Sequence, residues 1–406
     1  MPLTLKQKRT FLALAEPVLR LAYGAYRLFC GERFRDRRLP GSQPSPDIPE
    51  PQRILIVRLD SIGDVLLSEP AIELVRQRFP QATIDVVVGP EGKEVLSGNP
   101  HLNSFLVYRA PWHSAWRGHR VNWREEPRLL WQTLAGLRAC RYDLAFELRG
   151  DFRDIAFMAL TGARVKVGNS WRGGGFLLDH DVPANPDDHR VKFPFQIVSA
   201  VTGGVYPLRS PRIYLTPEDE GSVKGLLPTG EGLRIAFHLG AGFPSKRLPL
   251  ATFVQVAKAL LSGDKRTAVL VGGSGEEDLA QEFCQRVGGK VVNLVGKVGI
   301  KGTAAALRLC HLFVGNDSGP MHLAAAVGTP VVTFFGPSEP WRYHPHGVEY
   351  RLLEVALPCR TCDYVNCVHP TYPCMTSIKA EDIVAAAEDL LGKYAESQRQ
   401  VVTVKA

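Results

Sequence analysis

The residues best suited to chemistry lie in Asn316-Asp317-Ser318-Gly319-Pro320-Met321-His322. They follow an apolar run at residues 312–314, read as a buried strand, and open an alanine-rich run read as a helix over 320–327 that ends at Gly328-Thr329-Pro330. Asp317 or Ser318 would cap that helix, and Pro320 suits its first turn. A helix N-terminus at the carboxyl edge of a parallel sheet offers free N–H groups and a partial positive charge, which is where phosphates bind. His322 falls one turn into the helix, on the face that carries Ser318. An ordinary capped helix reads the same way, so the segment gains weight only from a second one of similar logic far upstream.

That second segment is Arg58-Leu59-Asp60-Ser61-Ile62-Gly63-Asp64-Val65-Leu66-Leu67, after an apolar run of strand length. It opens a helical pattern over 65–79 that Pro80 closes. Gly63 lets a substrate approach the backbone. Asp64 is expected in a loop after the first strand, at the mouth of a sheet, where α/β enzymes bind ligands. A carboxylate there serves as a general base or as a helix cap.

Two glycine-rich loops add phosphate- and ribose-suited groups. In His238-Leu239-Gly240-Ala241-Gly242-Phe243-Pro244-Ser245-Lys246-Arg247, Gly240 and Gly242 expose backbone N–H groups, and Lys246 and Arg247 supply cations for a diphosphate. In Val271-Gly272-Gly273-Ser274-Gly275-Glu276-Glu277, a glutamate can accept from a ribose hydroxyl. Each loop alone is a common strand-end turn. Neither a Walker-type lysine motif nor a Gly-x-Gly-x-x-Gly fingerprint occurs, and no Asp-x-Asp is read as holding a metal-bound nucleotide, which argues for phosphate handling without a metal. A further cluster, Cys359, Cys362, Cys367 and Cys374 with His369 inside it, fits a structural zinc site by its Cys-x-x-Cys pair and ligand count. Free thiols, an iron–sulfur cluster and disulfides are the alternatives, disulfides suiting a reducing cytoplasm least.

The elements that must position these residues alternate along the chain. Strand patterns at 54–57, 84–88, 105–107, 144–146 and 165–167 are separated mostly by helical ones, and a second alternating set has strands at 235–237, 268–271, 291–294, 312–314 and 331–335. This predicts two α/β domains with doubly wound parallel sheets, over residues 52–215 and 230–378, facing each other across a cleft, then a helix and tail at 379–406. Between Arg109 and Pro127 the pattern lapses into a Trp-, His- and Arg-rich stretch that includes Trp112 and Arg120. That is a substrate loop or a surface insertion with its aromatics tucked into the body.

The formal charge is +8, of which +6 falls in residues 1–40, with nine basic and three acidic side chains. The basic balance therefore belongs to an amphipathic arm, residues 1–38, and not to the body, which gives little support for nucleic-acid binding. A proline-rich linker, residues 39–51, tethers the arm. Such an arm lies in a membrane interface, or docks on the body or on a second subunit. No uncharged run approaches the length of a membrane span, and Glu16 and Arg20 interrupt the one stretch that resembles a signal-peptide core, so secretion is not expected.

Taken as a set and in order, residues 54–64, Gly240-Ala241-Gly242 with Lys246-Arg247, Gly272-Gly273-Ser274-Gly275-Glu276, and Asn316-Asp317-Ser318-Gly319-Pro320-Met321-His322 resemble glycosyltransferase family 9, the ADP-heptose:lipopolysaccharide heptosyltransferases. The resemblance spans about residues 52–393. It implies a GT-B fold of two Rossmann-like domains, an ADP-sugar donor, a glycolipid acceptor such as the lipopolysaccharide core, and inverting transfer of a heptose or related sugar without a metal. It places the family's base on Asp64 and its phosphate-contacting lysine on Lys246. Asp317, Gly319 and His322 match its Asp-x-Gly-x-x-His element, and its ribose-binding glutamate falls on Glu276 or Glu277. Gly240, Gly242, Arg247 and Ser318 complete the donor set, with Ser61, Gly63, Trp112 and Arg120 as acceptor contacts. Leu248 departs from a tryptophan frequent at that place, which leaves the shape of the donor pocket open. The cysteine loop resembles C-terminal loops in the same family and is read as structural. The implied location is cytoplasmic, peripheral on the inner membrane. The competing classes are a non-catalytic nucleotide-sugar binder and a nucleotide-sugar epimerase or hydrolase on the same fold.

Overall fold

The computed structural model describes residues 50–403 apart from 115–120, 204–205, 229, 231 and 264. The expectations placed on the arm, most of the linker and Arg120 lie outside the described residues.

Apolar runs become the strands of two parallel sheets. The first holds β1 (Arg53–Arg58), β2 (Thr83–Val88), β3 (Ser104–Val107), β4 (Leu144–Glu147), β5 (Val165–Gly168) and β6 (His180–Asp181), in the order β3-β2-β1-β4-β5-β6. The second holds β7 (Leu233–His238), β8 (Arg266–Leu270), β9 (Val291–Asn293), β10 (Leu312–Asn316), β11 (Val331–Phe335) and β12 (Tyr350–Glu354), in the order β12-β11-β10-β7-β8-β9. Read from its other edge, the second order repeats the first. Both are the doubly wound arrangement, in which helices cover both faces and central strands read as unbroken apolar runs. In β1, Ile54, Leu55, Ile56 and Val57 are fully buried. In the second sheet Ile235, Phe237, Val314, Val332 and Phe334 meet Phe253, Phe283 and Ile383 in one core, each such side chain contributing about 1.5–3 kcal/mol by its burial.

The order reverses at β1/β4 and at β7/β10, with Val57 beside Glu147 and Gly315 beside His238. Open α/β sheets bind ligands beyond the carboxyl ends of the strands at such a reversal.

The chain divides into two compact units. Among the described residues, one comprises residues 50–60, Ser68–Lys93 and Asn99–Leu208, and the other Ser61–Leu67, Glu94–Gly98 and those from Arg209 onward. Asp64 therefore packs with the second unit.

Three differences from the sequence reading have physical causes. The helix expected over 65–79 is two helices, Ile62–Leu66 and Glu69–Arg78, because Pro70 has no N–H to continue the ladder and is accommodated only in the opening turn of a helix. Asp64 thus lies in a first helical turn, not in a loop. Strands β6 and β12 escape the apolar-run criterion, being a His-Asp pair and a half-buried edge strand. An Asp-x-Asp does occur, at Asp179-His180-Asp181, but both carboxylates serve the fold. Asp179 pairs with Lys166 Nζ at 2.9 Å, and Asp181 accepts the Ser170 N–H at 2.8 Å and its hydroxyl at 2.5 Å.

Candidate active site

The second unit gathers its polar groups at the β7/β10 reversal. Asn316, the last residue of β10, is buried and satisfied three times over. Its Oδ1 accepts the Leu248 N–H at 3.0 Å, and its Nδ2 donates to the Leu239 and Gly240 carbonyls at 2.9 and 3.0 Å. One amide thus fixes both ends of the loop that carries Lys246.

Lys246 ends the short 3-10 turn Pro244–Lys246. The Ser245 hydroxyl and N–H anchor this turn by donating to the Tyr364 and Val365 carbonyls at 2.5 and 3.3 Å. Lys246 Nζ donates to Asp317 Oδ2 at 2.7 Å, and the Ser338 hydroxyl donates to the same oxygen at 2.6 Å. Burial opposes the charge on each partner. The pair nevertheless outweighs it: the Asp317 pKa is lowered by Lys246, Ser338 and His322, and the Lys246 pKa is raised by Asp317. Both are charged near neutrality, and an ammonium has three protons to donate, so two remain for a ligand. Arg247 behaves differently, curling back so that its Nε and one terminal nitrogen donate to the Ala241 carbonyl at 3.2 and 3.0 Å.

The helix Gly319–Ala326 follows, with Ser318 in the capping position and Pro320 in the first turn, as the sequence indicates. The Ser318 side chain makes no cap bond; its hydroxyl lies 3.0 Å from His238 Nδ1. His322 is buried, and burial lowers its pKa against the raising effect of Asp317 and Asp64. Among the described residues its buried Nδ1 has no hydrogen-bond partner, at a cost of about 1–3 kcal/mol.

Asp64 reaches the same place. Its helix, Ile62–Leu66, packs on Gly319–Ala326. Gly63 has no room for a side chain: a Cβ there would lie 2.7 Å from His322 Cδ2. Ser61 holds the capping position without capping, and its hydroxyl donates to Asp64 Oδ2 at 2.5 Å. Asp64 is not the cap.

Glu276 and Glu277 part company. Glu276 Oε2 faces His238 Nε2 at 3.2 Å and accepts the Gly273 N–H at 3.2 Å. Burial raises its pKa, but the His238 ring, Gly273 and Arg247 together bring it below the ordinary value. Its carboxylate lies where a Cβ on Gly240 or Gly272 would fall, 1.6 and 2.3 Å away, so a side chain at either position would push the carboxylate from this seat. Glu277 instead accepts the Gly275 N–H at 2.5 Å and lies against Gly296. Gly242 faces open space.

The structure thus brings together Ser61, Gly63, Asp64, Gly240, Lys246, Glu276, Asp317, Ser318, Gly319 and His322 within the second unit. Trp112 belongs to the first unit, its ring among Tyr108 and Phe157 and its Nε1–H donated to buried Asp154 at 2.8 Å. Sequence reasoning missed His238, Ser338 and the first unit's strand-end group. In that group His113 shares Asp154 at 3.0 Å, Arg149 bonds Asp60 at 3.1 Å, and Glu147 accepts the Arg149 and Gly150 N–H groups. The signal shared by His238, Ser338, Asp60, Glu147 and Arg149 is position, at or within three residues of a strand's carboxyl end.

The cysteines at 359, 362, 367 and 374 are free, Cys359 exposed and Cys374 buried. Burial and the other three thiols raise the Cys374 pKa. Among the described residues, the cluster that brings three metal-ligand atoms within 4.8 Å of one another is Glu69, Glu73 and His101, not the cysteines.

Two sheets of the same Rossmann-type strand order, with a lysine–aspartate pair and a half-buried glutamate at the reversal of the second, are the marks of a GT-B enzyme. The model of glycosyltransferase family 9 (heptosyltransferase) matches residues 130–372, more than half of the chain, and the chain belongs to that family of glycosyltransferases. The match takes in Lys246, Glu276, Asp317 and His322 and leaves out Asp64. Lipopolysaccharide heptosyltransferase 2 of Salmonella typhimurium is 26% identical over 302 residues, 71% of this chain and 84% of that protein. Lipopolysaccharide heptosyltransferase 2 of Escherichia coli K12 is 28% identical over 313 residues, 71% and 84% of the two chains. The structure of E. coli ADP-heptose lps heptosyltransferase II superposes with a TM-score of 0.67 at 21% identity, covering 84% of this chain and 99% of that one, which shows a shared fold.

Proposed function

We propose that this glycosyltransferase moves a heptose from ADP-heptose to the lipopolysaccharide core, with inversion at the anomeric carbon and without a metal ion. The observation that carries the reading is the buried Lys246–Asp317 ion pair at the mouth of the second sheet, with Glu276 a loop away. The names of the relatives supply the sugar and the acceptor. Lys246 has donors to spare for a diphosphate, the positive end of the helix Gly319–Ala326 adds to them, and Glu276 is set to accept from a ribose.

In this reading Asp64 takes the proton of the acceptor hydroxyl as that oxygen attacks the anomeric carbon. The bond from the anomeric carbon to the diphosphate oxygen breaks on the opposite face, which inverts the centre. Lys246 and the helix end stabilise the charge that develops on the leaving diphosphate, with His322 as a further donor to the same phosphate. The fixed cation does the work that a divalent metal does in other transferases.

The basic arm is proposed to bring the enzyme to the cytoplasmic face of the membrane holding its lipid-linked acceptor. No described helix is long and apolar enough to cross a membrane.

The test is transfer itself: ADP-heptose and a heptose-deficient lipopolysaccharide acceptor, with the product's anomeric configuration read by NMR. Inverted product with EDTA present is expected. Release of free heptose without transfer, or activity only after adding magnesium or manganese, overturns the reading.

A further inference from the structure

His238 has no part in the mechanism above, yet it touches both ends of the donor site. It is the last residue of β7 and is 3% exposed. One edge of its ring meets Glu276, with Nε2 at 3.2 Å from Oε2. A carboxylate only accepts, so Nε2 carries the proton, and in the neutral ring Nδ1 is the acceptor. Nδ1 lies 3.0 Å from the Ser318 hydroxyl, whose single proton is shared between it and the Asn316 carbonyl at 3.1 Å.

Each contact has a consequence. On the glutamate, both protein hydrogen bonds fall on Oε2. Among the described residues no protein donor reaches Oε1, which lies over Gly240. On the serine, the hydroxyl occupies the capping position of the helix Gly319–Ala326 but makes no cap bond. Serine caps helices well when its hydroxyl is free to turn inward. Here the ring and the Asn316 carbonyl hold it aside, and the positive end of the helix stays open to an anion from outside.

We propose that His238 is a positioning residue that ties the two ends of the donor site together, holding Glu276 with one carboxylate oxygen left for a ribose hydroxyl and keeping the Ser318 hydroxyl off the helix end where the diphosphate binds. The proposal rests on the donor reading of the preceding subsection.

Two amide substitutions divide the ring's roles. In His238→Asn the side-chain amide overlies the Nδ1 side and reaches Ser318 alone; in His238→Gln it overlies the Nε2 side and reaches Glu276 alone. Calorimetric titration of the full chain at fixed salt with ADP and with 2′,3′-dideoxy-ADP reads the ribose end directly. The wild type should prefer ADP by about tenfold, the size of one hydrogen bond to a charged group. His238→Gln should keep that preference, while His238→Asn should lose most of it and still bind ADP. Glu276→Gln should lose the same preference as His238→Asn; if His238→Asn does not fold, His238→Gln still decides, since loss of the preference there refutes the Nε2 contact as what holds Glu276. Loss of affinity for both nucleotides by the same factor in both histidine variants would make His238 merely structural. Retention of the preference in His238→Asn overturns the proposal but leaves the donor reading intact, whereas equal binding of the two nucleotides by the wild type overturns the proposal together with the ribose role of Glu276. A wild type that binds neither nucleotide overturns both.

Discussion

The Lys246–Asp317 pair allows folding and binding to be separated in one experiment. Asp317 is 6% exposed and Lys246 18% exposed, so Lys246→Met strands a carboxylate in a nearly dry setting. Removing one partner of a buried pair costs about 3–5 kcal/mol. The Ser338 hydroxyl still serves Asp317, which favours the lower end. At roughly 2–4 °C per kcal/mol for a unit of this size, the melting temperature should fall by roughly 6–12 °C. Adding Asp317→Asn removes the stranded charge while its carbonyl oxygen still accepts from Ser338. The double variant should therefore regain most of the loss, ending within about 1 kcal/mol of the wild type. ADP affinity should follow a different course. If Lys246 donates to the diphosphate, its loss forfeits about 1.5–3 kcal/mol, about 10- to 100-fold, in the single and double variants alike. Thermal melts and calorimetry at fixed ionic strength measure the two quantities, salt being held because it screens the phosphate contact. Recovery of ADP affinity together with stability in the double variant would refute the reasoning, since Lys246 would then act only through the fold. An unchanged melting temperature in Lys246→Met would refute the buried ion pair.

Asp64→Asn keeps the shape and the Ser61 contact but removes the base: transfer should drop about a hundred-fold or more with ADP affinity nearly intact, and a loss of only a few-fold would remove Asp64 from that role. Acid should reveal Asp317, whose lowered pKa makes its contribution to stability complete above the ordinary carboxylate value of about 4 and lost as pH falls through the folded value; Asp317→Asn should flatten the stability profile there, and an unaltered profile would contradict the pair. A chain beginning at Gln52 should no longer sediment with anionic liposomes at low salt while still using a delipidated acceptor, because basic residues near an anionic surface contribute about 1 kcal/mol each; if the full chain fails to sediment, the arm instead packs on the body or on another subunit. Thiol titration should label exposed Cys359 before buried Cys374, and labelling of all four cysteines together, only after a chelator, would show that a metal holds them.

The central strands were plain in the sequence because a strand buried on both faces reads as an apolar run, as β1 and β11 do. The edge strands β6 and β12 were not, since β6 is only a His-Asp pair and β12 needs only partial burial, its pattern, Tyr-Arg-Leu-Leu-Glu, being that of a half-wet surface. Glycines pointed correctly to close approach, but what approaches was hidden. At Gly63 it is the His322 ring and at Gly240 the Glu276 carboxylate, 259 and 36 positions away. The register of Glu276 against Glu277 could not be set locally because it depends on which side chain finds His238. His238 and Ser338 were missed for the same reason: their partners lie far along the chain, and nothing in their immediate neighbours distinguishes them from any other strand-end histidine or loop serine.

The short stretch Ser61–Leu67 belongs by its packing with residues that follow Arg209. The polypeptide can therefore not be divided at the connection between its halves without dividing the chemistry as well. A fragment starting at Arg209 would carry the proposed nucleotide loops but leave the Gly319–Ala326 helix without the turn that covers His322, and the proposed base would remain on the other piece. Co-expressed halves would have to return that turn to its seat before any turnover, which makes complementation between them a direct measure of how firmly seven residues are held.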